Sequence, residues 1–258
     1  MTHRSPRHTS RADNVIVLER PQRTPLGTLC VFCGARSGND MRLVGAAAAL
    51  GAAIASAGIR LVYGGGSDGL MGAVALAAAS RGGEVVAIVP DILAAATRPL
   101  PAAHRTIRVA DMHARKAMMY AMADAFVALP GGIGTLEEVC EIITWRKLGS
   151  HGKPILLANF HGFWEPLLDL LDHLQEAGFA DRHLRDQVLL AEAPHRVLPL
   201  LQRATYFQDD AAAQRGETES RDTGPHRAPG TLATMTSPPS CAGQPTSIGL
   251  ASLSAAGN

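Results

Sequence analysis

Residues 125 to 145, AFVALPGGIGTLEEVCEIITW, run from an apolar stretch through a loop with three glycines into a helical pattern. The apolar stretch predicts a buried strand over Ala125 to Leu129, and the residues after the loop predict a helix from Thr135 to about Leu148. In such a βα unit, the backbone N–H groups that open the helix favour an anion. Two adjacent glutamates, Glu137 and Glu138, nevertheless follow the glycines. The unit therefore combines a predicted anion site with two carboxylates.

The same alternation of apolar strand and helix recurs along the chain. Strands that are almost wholly apolar, each followed by a helix, predict a parallel sheet that is covered on both faces. We therefore expect an α/β fold, a Rossmann-like doubly wound parallel sheet. The predicted strands are 28–33, 60–63, 84–89, 106–109, 125–129 and 154–158, and the predicted helices are 40–57, 69–81, 112–123, 135–148 and 163–175.

Composition and charge limit the kinds of protein and partner to be expected. The 258 residues are 47% hydrophobic and carry a formal net charge of +1, which indicates one domain with a sizeable core and gives no reason to expect nucleic acid or an anionic membrane as a partner. No apolar run approaches the roughly 18 residues that span a bilayer. Residues 1–26 and 207–258 are rich in small and polar residues, so we predict disordered extensions on either side of a single domain, 27–206.

The four cysteines indicate a reducing compartment. Cys30 and Cys33 form a C-x-x-C without a second pair or a nearby histidine, so no metal site is predicted. Both lie in a predicted strand, where positions i and i+3 point to opposite faces. We therefore interpret them as reduced core cysteines and expect a cytoplasmic protein.

Three glycine-rich loops follow predicted strands, at 33–38, 64–69 and 130–135. Carboxyl ends of parallel strands gather at one edge of a sheet, so the three loops predict backbone amides that face a phosphate. The alternative is that the glycines serve tight turns with positive φ. The second loop also fits the dinucleotide pattern G-x-G-x-x-G, although the next acid, Asp91, lies 27 residues after Gly64 rather than about 20. NAD binding remains an alternative at this point.

Charged residues near these loops have both structural and catalytic interpretations. Thr135 and Glu138 match a capping box, in which Glu138 bonds back to the start of the helix. Arg115 and Lys116 lie at the start of the preceding helix, where two cations can neutralise a phosphate or simply face solvent.

Two motifs carry a specific resemblance. MHARK at 112–116, followed by PGGIGTLEE at 130–138, resembles the paired signature of the LOG family, the cytokinin riboside 5'-monophosphate phosphoribohydrolases that were long mislabelled as lysine decarboxylases. The stretches 31–38, 63–75 and 144–168 are similar to other blocks of that family, in the same order. The resemblance implies a Rossmann-like homodimer that hydrolyses the N-glycosidic bond of a nucleoside 5'-monophosphate to free base and ribose 5-phosphate, without a cofactor.

The resemblance also implies roles for individual residues. The catalytic arginine and glutamate correspond to Arg115 and Glu138, and the phosphate loop to Gly132 through Thr135. The family's upstream substrate-contacting glutamate has no counterpart, because Ala96 to His104 contains no acid, and the serine of its first glycine loop is replaced here by Ala35 or Arg36. The predicted substrate-binding residues are Gly34, Gly65, Gly66, Met112, Lys116, Gly131, Gly132, Ile133, Gly134, Thr135, Leu136, Glu137 and Thr144.

The chemistry suits these residue types. Cleavage of an N-glycosidic bond passes through an oxocarbenium-like ribose, which a carboxylate such as Glu138 stabilises. The same carboxylate can orient or deprotonate the attacking water, while Arg115 can hold the phosphate or favour departure of the base. Two other functions stay open from the sequence: an NAD-dependent oxidoreductase, and a protein that binds or senses nucleotides without turnover.

Overall fold

The strands of the computed structural model, which describes residues 26–95 and 104–206, form one sheet in which every neighbouring pair is parallel. They follow one another in space in the order β4-β3-β2-β1-β5-β6-β7. Their bounds are β1 (Thr28–Phe32), β2 (Arg60–Tyr63), β3 (Val85–Pro90), β4 (His104–Val109), β5 (Ala125–Ala128), β6 (Ile155–Ala158) and β7 (Leu189–Ala191).

Helices cover both faces of this sheet, as a doubly wound fold requires. Buried side chains of the first, second and last helices form one apolar cluster, and those of the fourth, fifth and sixth form another on the opposite face. Cys33 belongs to the first cluster and Cys30 to the second, and both are free thiols, so the two cysteines are confirmed as core residues. The helices are α1 (Met41–Ser56), α2 (Gly69–Ala79), α3 (Asp91–Ala94), α4 (Met112–Met122), α5 (Ile133–Lys147), α6 (Glu165–Glu176) and α7 (194–206).

One long crossover positions the functional region. The first four strands add to the sheet in one direction, and α4 then passes back across β3, β2 and β1 before the chain enters β5. The strand order therefore reverses between β1 and β5. In open parallel sheets a ligand binds at this reversal, outside the carboxyl ends of the strands.

The structure corrects several predicted boundaries. Helix α5 begins at Ile133, two residues before the predicted start, because glycines of low helix propensity conceal its first turn. Helix α6 begins at Glu165 rather than Phe163, after a short 3-10 turn over Phe160–Gly162. Strand β4 begins at His104 and not at Thr106. Strand β7 and helix α7 were not predicted; β7 has only three residues and little alternation of polar and apolar side chains.

Two sequence predictions fall outside the described residues. The predicted extensions, 1–26 and 207–258, lie beyond them except for residue 26, and so does most of the acid-free stretch that ends at His104. Within the described residues, no helix is long and apolar enough to cross a membrane.

Candidate active site

A pocket of about 730 Å³ opens at the strand reversal. The loop after β1 and the loop after β5 form its walls, and the first turn of α4 adds Met112 and Arg115. The predicted residues that line it are Gly34, Met112, Arg115, Gly131, Gly132, Ile133, Gly134, Thr135, Glu137 and Glu138. The structure thus brings together most of the residues that the sequence singled out.

Arg115 and Glu138 form a buried ion pair in the wall of this pocket. Nη2 of Arg115 donates a hydrogen bond of 3.3 Å to Oε1 of Glu138, and each residue is only 6% exposed. The contact is a single bond, and Nε of Arg115 has no partner among the described residues. A buried guanidinium with an unused N–H group can still donate to a ligand.

The position of Arg115 follows from its surroundings. Asp111 caps α4, accepting a bond of 2.8 Å from the N–H of Ala114, and so places Arg115 in the first turn at the sheet edge. Gly64, at the end of β2, leaves space for the guanidinium, because a Cβ there would lie 2.2 Å from Nη2 of Arg115. Nη1 also donates to the sulfur of Met112 over 3.8 Å. Gly64, the first glycine of the second loop, therefore makes room for the Arg115 side chain.

Burial controls the acidity of Glu138. Removal from water raises the pKa of its carboxyl from 4.5 to about 7, and the nearby Arg115 guanidinium offsets this only in part. A carboxyl with a pKa near neutrality can both accept and return a proton at physiological pH. The side chain therefore has the properties of a general acid–base group.

The predicted capping box is wrong. Gly132 is the N-cap of α5 and no side chain caps it, so Thr135 lies inside the helix and Glu138 lies more than a turn from its start. Glu138 therefore cannot close the helix end, and its bond goes to Arg115 instead. The interpretation of Glu138 as a helix cap is thereby removed.

The third glycine loop leaves its amides accessible. The first backbone bond of α5 runs from the N–H of Leu136 to the carbonyl of Gly132 (3.0 Å), so the N–H groups of residues 133–135 have no partner within the helix. A Cβ at Gly132 or Gly134 would meet no atom within 4 Å, and neither glycine has positive φ. Neither steric contacts within the protein nor the backbone conformation requires glycine at these two positions, whereas a ligand lying against the main chain would.

The second glycine loop behaves differently, which corrects the prediction of three equivalent loops. Gly65 and Gly66 do not line the pocket, and Gly65 has φ +88, so the turn interpretation holds there. The opening amides of α2, those of Leu70 and Met71, both donate to the carbonyl of Gly34, at 3.1 and 3.3 Å. In a dinucleotide site these amides would face the pyrophosphate. The NAD alternative therefore loses its binding element.

Three further predicted residues lie outside the pocket lining. Lys116 is held by Glu137 (2.5 Å) and Glu141 (3.0 Å), and these bonds raise the pKa of its ammonium group. The hydroxyl of Thr144 donates to the carbonyl of Cys140, and the side chain is exposed. Leu136 packs against the core cluster under α5.

Comparison with known proteins places these features in a family. The family model described as "Possible lysine decarboxylase" matches residues 71–201. Cytokinin riboside 5'-monophosphate phosphoribohydrolase LOG4 of Arabidopsis thaliana is 38% identical over 196 residues, which cover 76% of this chain and 91% of that protein. "Probable cytokinin riboside 5'-monophosphate phosphoribohydrolase LOGL1" of Oryza sativa subsp. japonica is 40% identical, over 74% of this chain and 85% of that protein. The chain belongs to the LOG family.

A solved structure shares the fold of this chain. The molybdenum cofactor carrier protein MCP of Chlamydomonas reinhardtii superposes with a TM-score of 0.54 over 69% of this chain and 97% of its own, at 21% identity. At this identity the likeness concerns the fold alone. The Rossmann-like prediction is confirmed.

The lysines of this LOG protein do not fit the decarboxylase description of the family model. A Schiff base needs a lysine that reaches the ligand, and the chain has three. Lys116 is paired as described, Lys147 pairs with Asp181 on the surface, and Lys153 donates to the carbonyl of Tyr120. None of the three lines the pocket.

Sequence reasoning missed two features of the site. Gly64 was assigned to a nucleotide loop, and only the three-dimensional path of α4 reveals that it accommodates Arg115. Phe163 was assigned to a helix, yet it lines the pocket from the turn before α6. Its position after a strand and a glycine was the one available signal.

Among the described residues, no group of three or more His, Cys, Asp or Glu side chains is arranged to hold a metal ion.

Proposed function

We propose that this protein hydrolyses the N-glycosidic bond of adenosine 5'-monophosphate and its N6-modified forms. The products are the free base, a cytokinin or adenine, and ribose 5-phosphate. The observation that carries the proposal is the buried Arg115–Glu138 pair next to the unpartnered amides of α5, in one pocket. The related proteins named as cytokinin riboside 5'-monophosphate phosphoribohydrolases support the same reaction.

The anionic end of the substrate rests on the opening amides of α5. The N–H groups of residues 133–135 and the positive end of the helix dipole attract a phosphate. Gly132 and Gly134 let it approach the main chain, and Gly131 packs against Thr135, where a Cβ would lie 2.2 Å from the threonine hydroxyl. The opening amides of α5 and the carboxylate of Glu138 then contact different ends of one nucleotide.

Glu138 acts at the anomeric carbon. The C1'–N bond breaks with its electron pair on the base, and a water oxygen bonds to C1'. The carboxylate of Glu138 stabilises the positive charge that develops on the ribose and accepts the proton of the water, which then passes to the departing base. Arg115 holds Glu138 in place and donates to the phosphate or to the base. No cofactor takes part in these steps.

The test is a panel of nucleoside monophosphates that includes N6-prenylated AMP, with free bases separated chromatographically. The parent protein should release base, and Glu138→Gln should fold normally and lose about 10²–10⁴-fold in rate. Base release by Glu138→Gln at the parent rate would refute the role of Glu138. AMP binding without any base release by the parent would instead indicate a sensing protein.

We also propose a cytoplasmic homodimer. Ile133, which is 81% exposed, and Leu148 present apolar side chains at the two ends of α5, and burial of both against a second copy would remove them from water. The exposed Thr144 lies on the same helix and outside the pocket of its own chain, and in the proposed dimer it contacts the substrate of the second copy. Free thiols at Cys30, Cys33 and Cys140 suit a reducing compartment. Light scattering that gives the mass of one chain at micromolar concentration would contradict the dimer.

A further inference from the structure

Phe163 is the one aromatic side chain among the described residues that line the pocket. It is 40% exposed, although it lies in the connection between β6 and α6, beside the buried Trp164. A partly exposed aromatic ring in the lining of a pocket offers aromatic surface to a ligand. The core does not need this ring, because Phe163 belongs to neither apolar cluster.

The surrounding turn fixes the position of this ring. Oδ1 of the buried Asn159 accepts a bond of 2.8 Å from the N–H of Trp164, and the indole N–H of Trp164 donates to the carbonyl of Ala128 over 3.1 Å. His161 has φ +56, a conformation that non-glycine residues rarely adopt unless the surroundings impose it. The ring of Phe163 meets that of Trp164 edge to face, with centroids 5.0 Å apart. The turn is therefore tied to the end of β5, two residues before the glycine loop.

The rest of the pocket offers both polar and apolar surface. Its polar groups include the α5 amides, the Arg115–Glu138 pair, Arg36 and Ser37, and its apolar residues include Met71, Leu93 and Met112. A nucleotide likewise combines an anionic end with a flat aromatic base. Bases stack on aromatic side chains, and within the described lining Phe163 alone offers such a face.

We propose that Phe163 stacks on the base of the bound nucleotide and determines the affinity for substrates with a purine base. This inference rests on the proposed nucleotide substrate and adds the residue that recognises the base. The base keeps its aromatic face while the glycosidic bond breaks, so stacking stabilises the bound substrate and the transition state alike. Loss of the ring therefore raises KM and leaves kcat nearly unchanged.

The experiment compares Phe163→Leu and Phe163→Tyr in the full chain. Base–aromatic stacking is worth about 1–3 kcal/mol, so Phe163→Leu should raise the KM for AMP roughly 5- to 150-fold, and Phe163→Tyr should keep the parent KM. Phe179→Leu is the matched control, since Phe179 is 83% exposed and does not line the pocket. Ribose 5-phosphate, which has no base, should inhibit the parent and Phe163→Leu equally well.

Each outcome decides the question. An unchanged KM for AMP in Phe163→Leu, or an equal weakening of AMP and ribose 5-phosphate, would overturn the stacking role. Calorimetric binding of AMP separates this failure from that of the proposed function. If the parent releases no base but binds AMP, and Phe163→Leu weakens that binding selectively, the base-stacking inference stands while the hydrolysis does not.

Discussion

Glu138 illustrates how burial can outweigh an ion pair at the level of one residue. Its partner Arg115 favours the carboxylate, yet removal from water dominates and the pKa lies at about 7. A fully formed, two-bond pair would hold the carboxyl ionised far below neutral pH. The single contact of 3.3 Å leaves Glu138 able to exchange a proton.

This pKa predicts the pH dependence of hydrolysis. Glu138 stabilises positive charge and activates water only as a carboxylate, so kcat/KM should fall as the pH is lowered through about 7. Initial rates of base release between pH 5.5 and 8.5 give the profile. A flat profile over that range would contradict the assignment of Glu138 as the ionising catalytic group.

Stability measurements without substrate check the same pKa. Because the folded-state pKa is raised above 4.5, the folded protein binds this proton more tightly than the unfolded chain, and stability is lost as the pH rises from 4.5 to about 7. The difference corresponds to about 3 kcal/mol. Glu138→Gln has no such proton, so its stability does not fall in this way. The variant should therefore be more stable relative to the parent at pH 8 than at pH 5, as measured by the free energy of unfolding.

Gly64 provides a second residue-scale prediction. A methyl group in Gly64→Ala would lie 2.2 Å from Nη2 of Arg115, which is the end of a flexible side chain and can move away. We therefore expect the variant to fold and to lose activity, because Arg115 leaves its bond with Glu138. Gly45→Ala, on an open surface of α1, is the control. Full activity of Gly64→Ala would show that the position of Arg115 is unimportant.

At the scale of elements, the glycines at the start of α5 lie in the first turn of the helix and leave its amides accessible. The sequence predicted the anion site at this position. It placed the start of the helix two residues late, because glycine has a low helix propensity and the first turn contains glycine. The misplaced boundary produced the incorrect capping box.

Gly134→Ala separates stability from ligand binding in this element. Alanine favours a helix by about 0.5–1 kcal/mol over glycine, and its methyl meets no protein atom within 4 Å, so the melting temperature should stay equal or rise. The same methyl blocks close approach of a phosphate, and loss of a hydrogen bond to a charged group should weaken AMP binding about 10- to 100-fold. Calorimetry and thermal melts measure both effects. Gly72→Ala, whose Cβ would lie 1.9 Å from the carbonyl of Ser67, should instead unfold the protein.

How much of the site can be predicted depends on how far apart in the sequence its contacting residues lie. The third glycine loop stands in a local pattern between a strand and a helix, whereas the catalytic roles of Arg115 and Glu138 are implied by the resemblance of their motifs to the LOG family. The contact of Gly64 with Arg115 and the donation of two α2 amides to Gly34 join elements that are distant in sequence. Hydrophobic periodicity carries no information on such contacts.

At the scale of the whole molecule, the reversal of strand order assembles the site. Helix α4 follows the edge strand β4 in the chain and packs across β3, β2 and β1, which brings Arg115 next to Glu138 in the other half of the fold. The sequence predicted the alternation of strands and helices, but the strand order depends on which faces pack, and β7 is too short to leave a pattern. Fold and site are therefore coupled through one crossover.

The location of the two apolar clusters gives a prediction for the whole chain. Their members lie between Leu26 and Leu201, and the pocket lining lies between Cys33 and Phe163. A chain trimmed to residues 26–206 should therefore keep its melting temperature within a few degrees and its rate of base release within about twofold, since the free energy of folding comes mainly from buried apolar surface. Thermal unfolding and the nucleotide assay test this directly. A trimmed chain that ends at residue 190 is the control and should fail to fold, because it loses Val197 and Leu201, which are completely buried in the first cluster. Loss of activity at an unchanged melting temperature in the 26–206 chain would show that the terminal segments contribute to catalysis rather than to the fold.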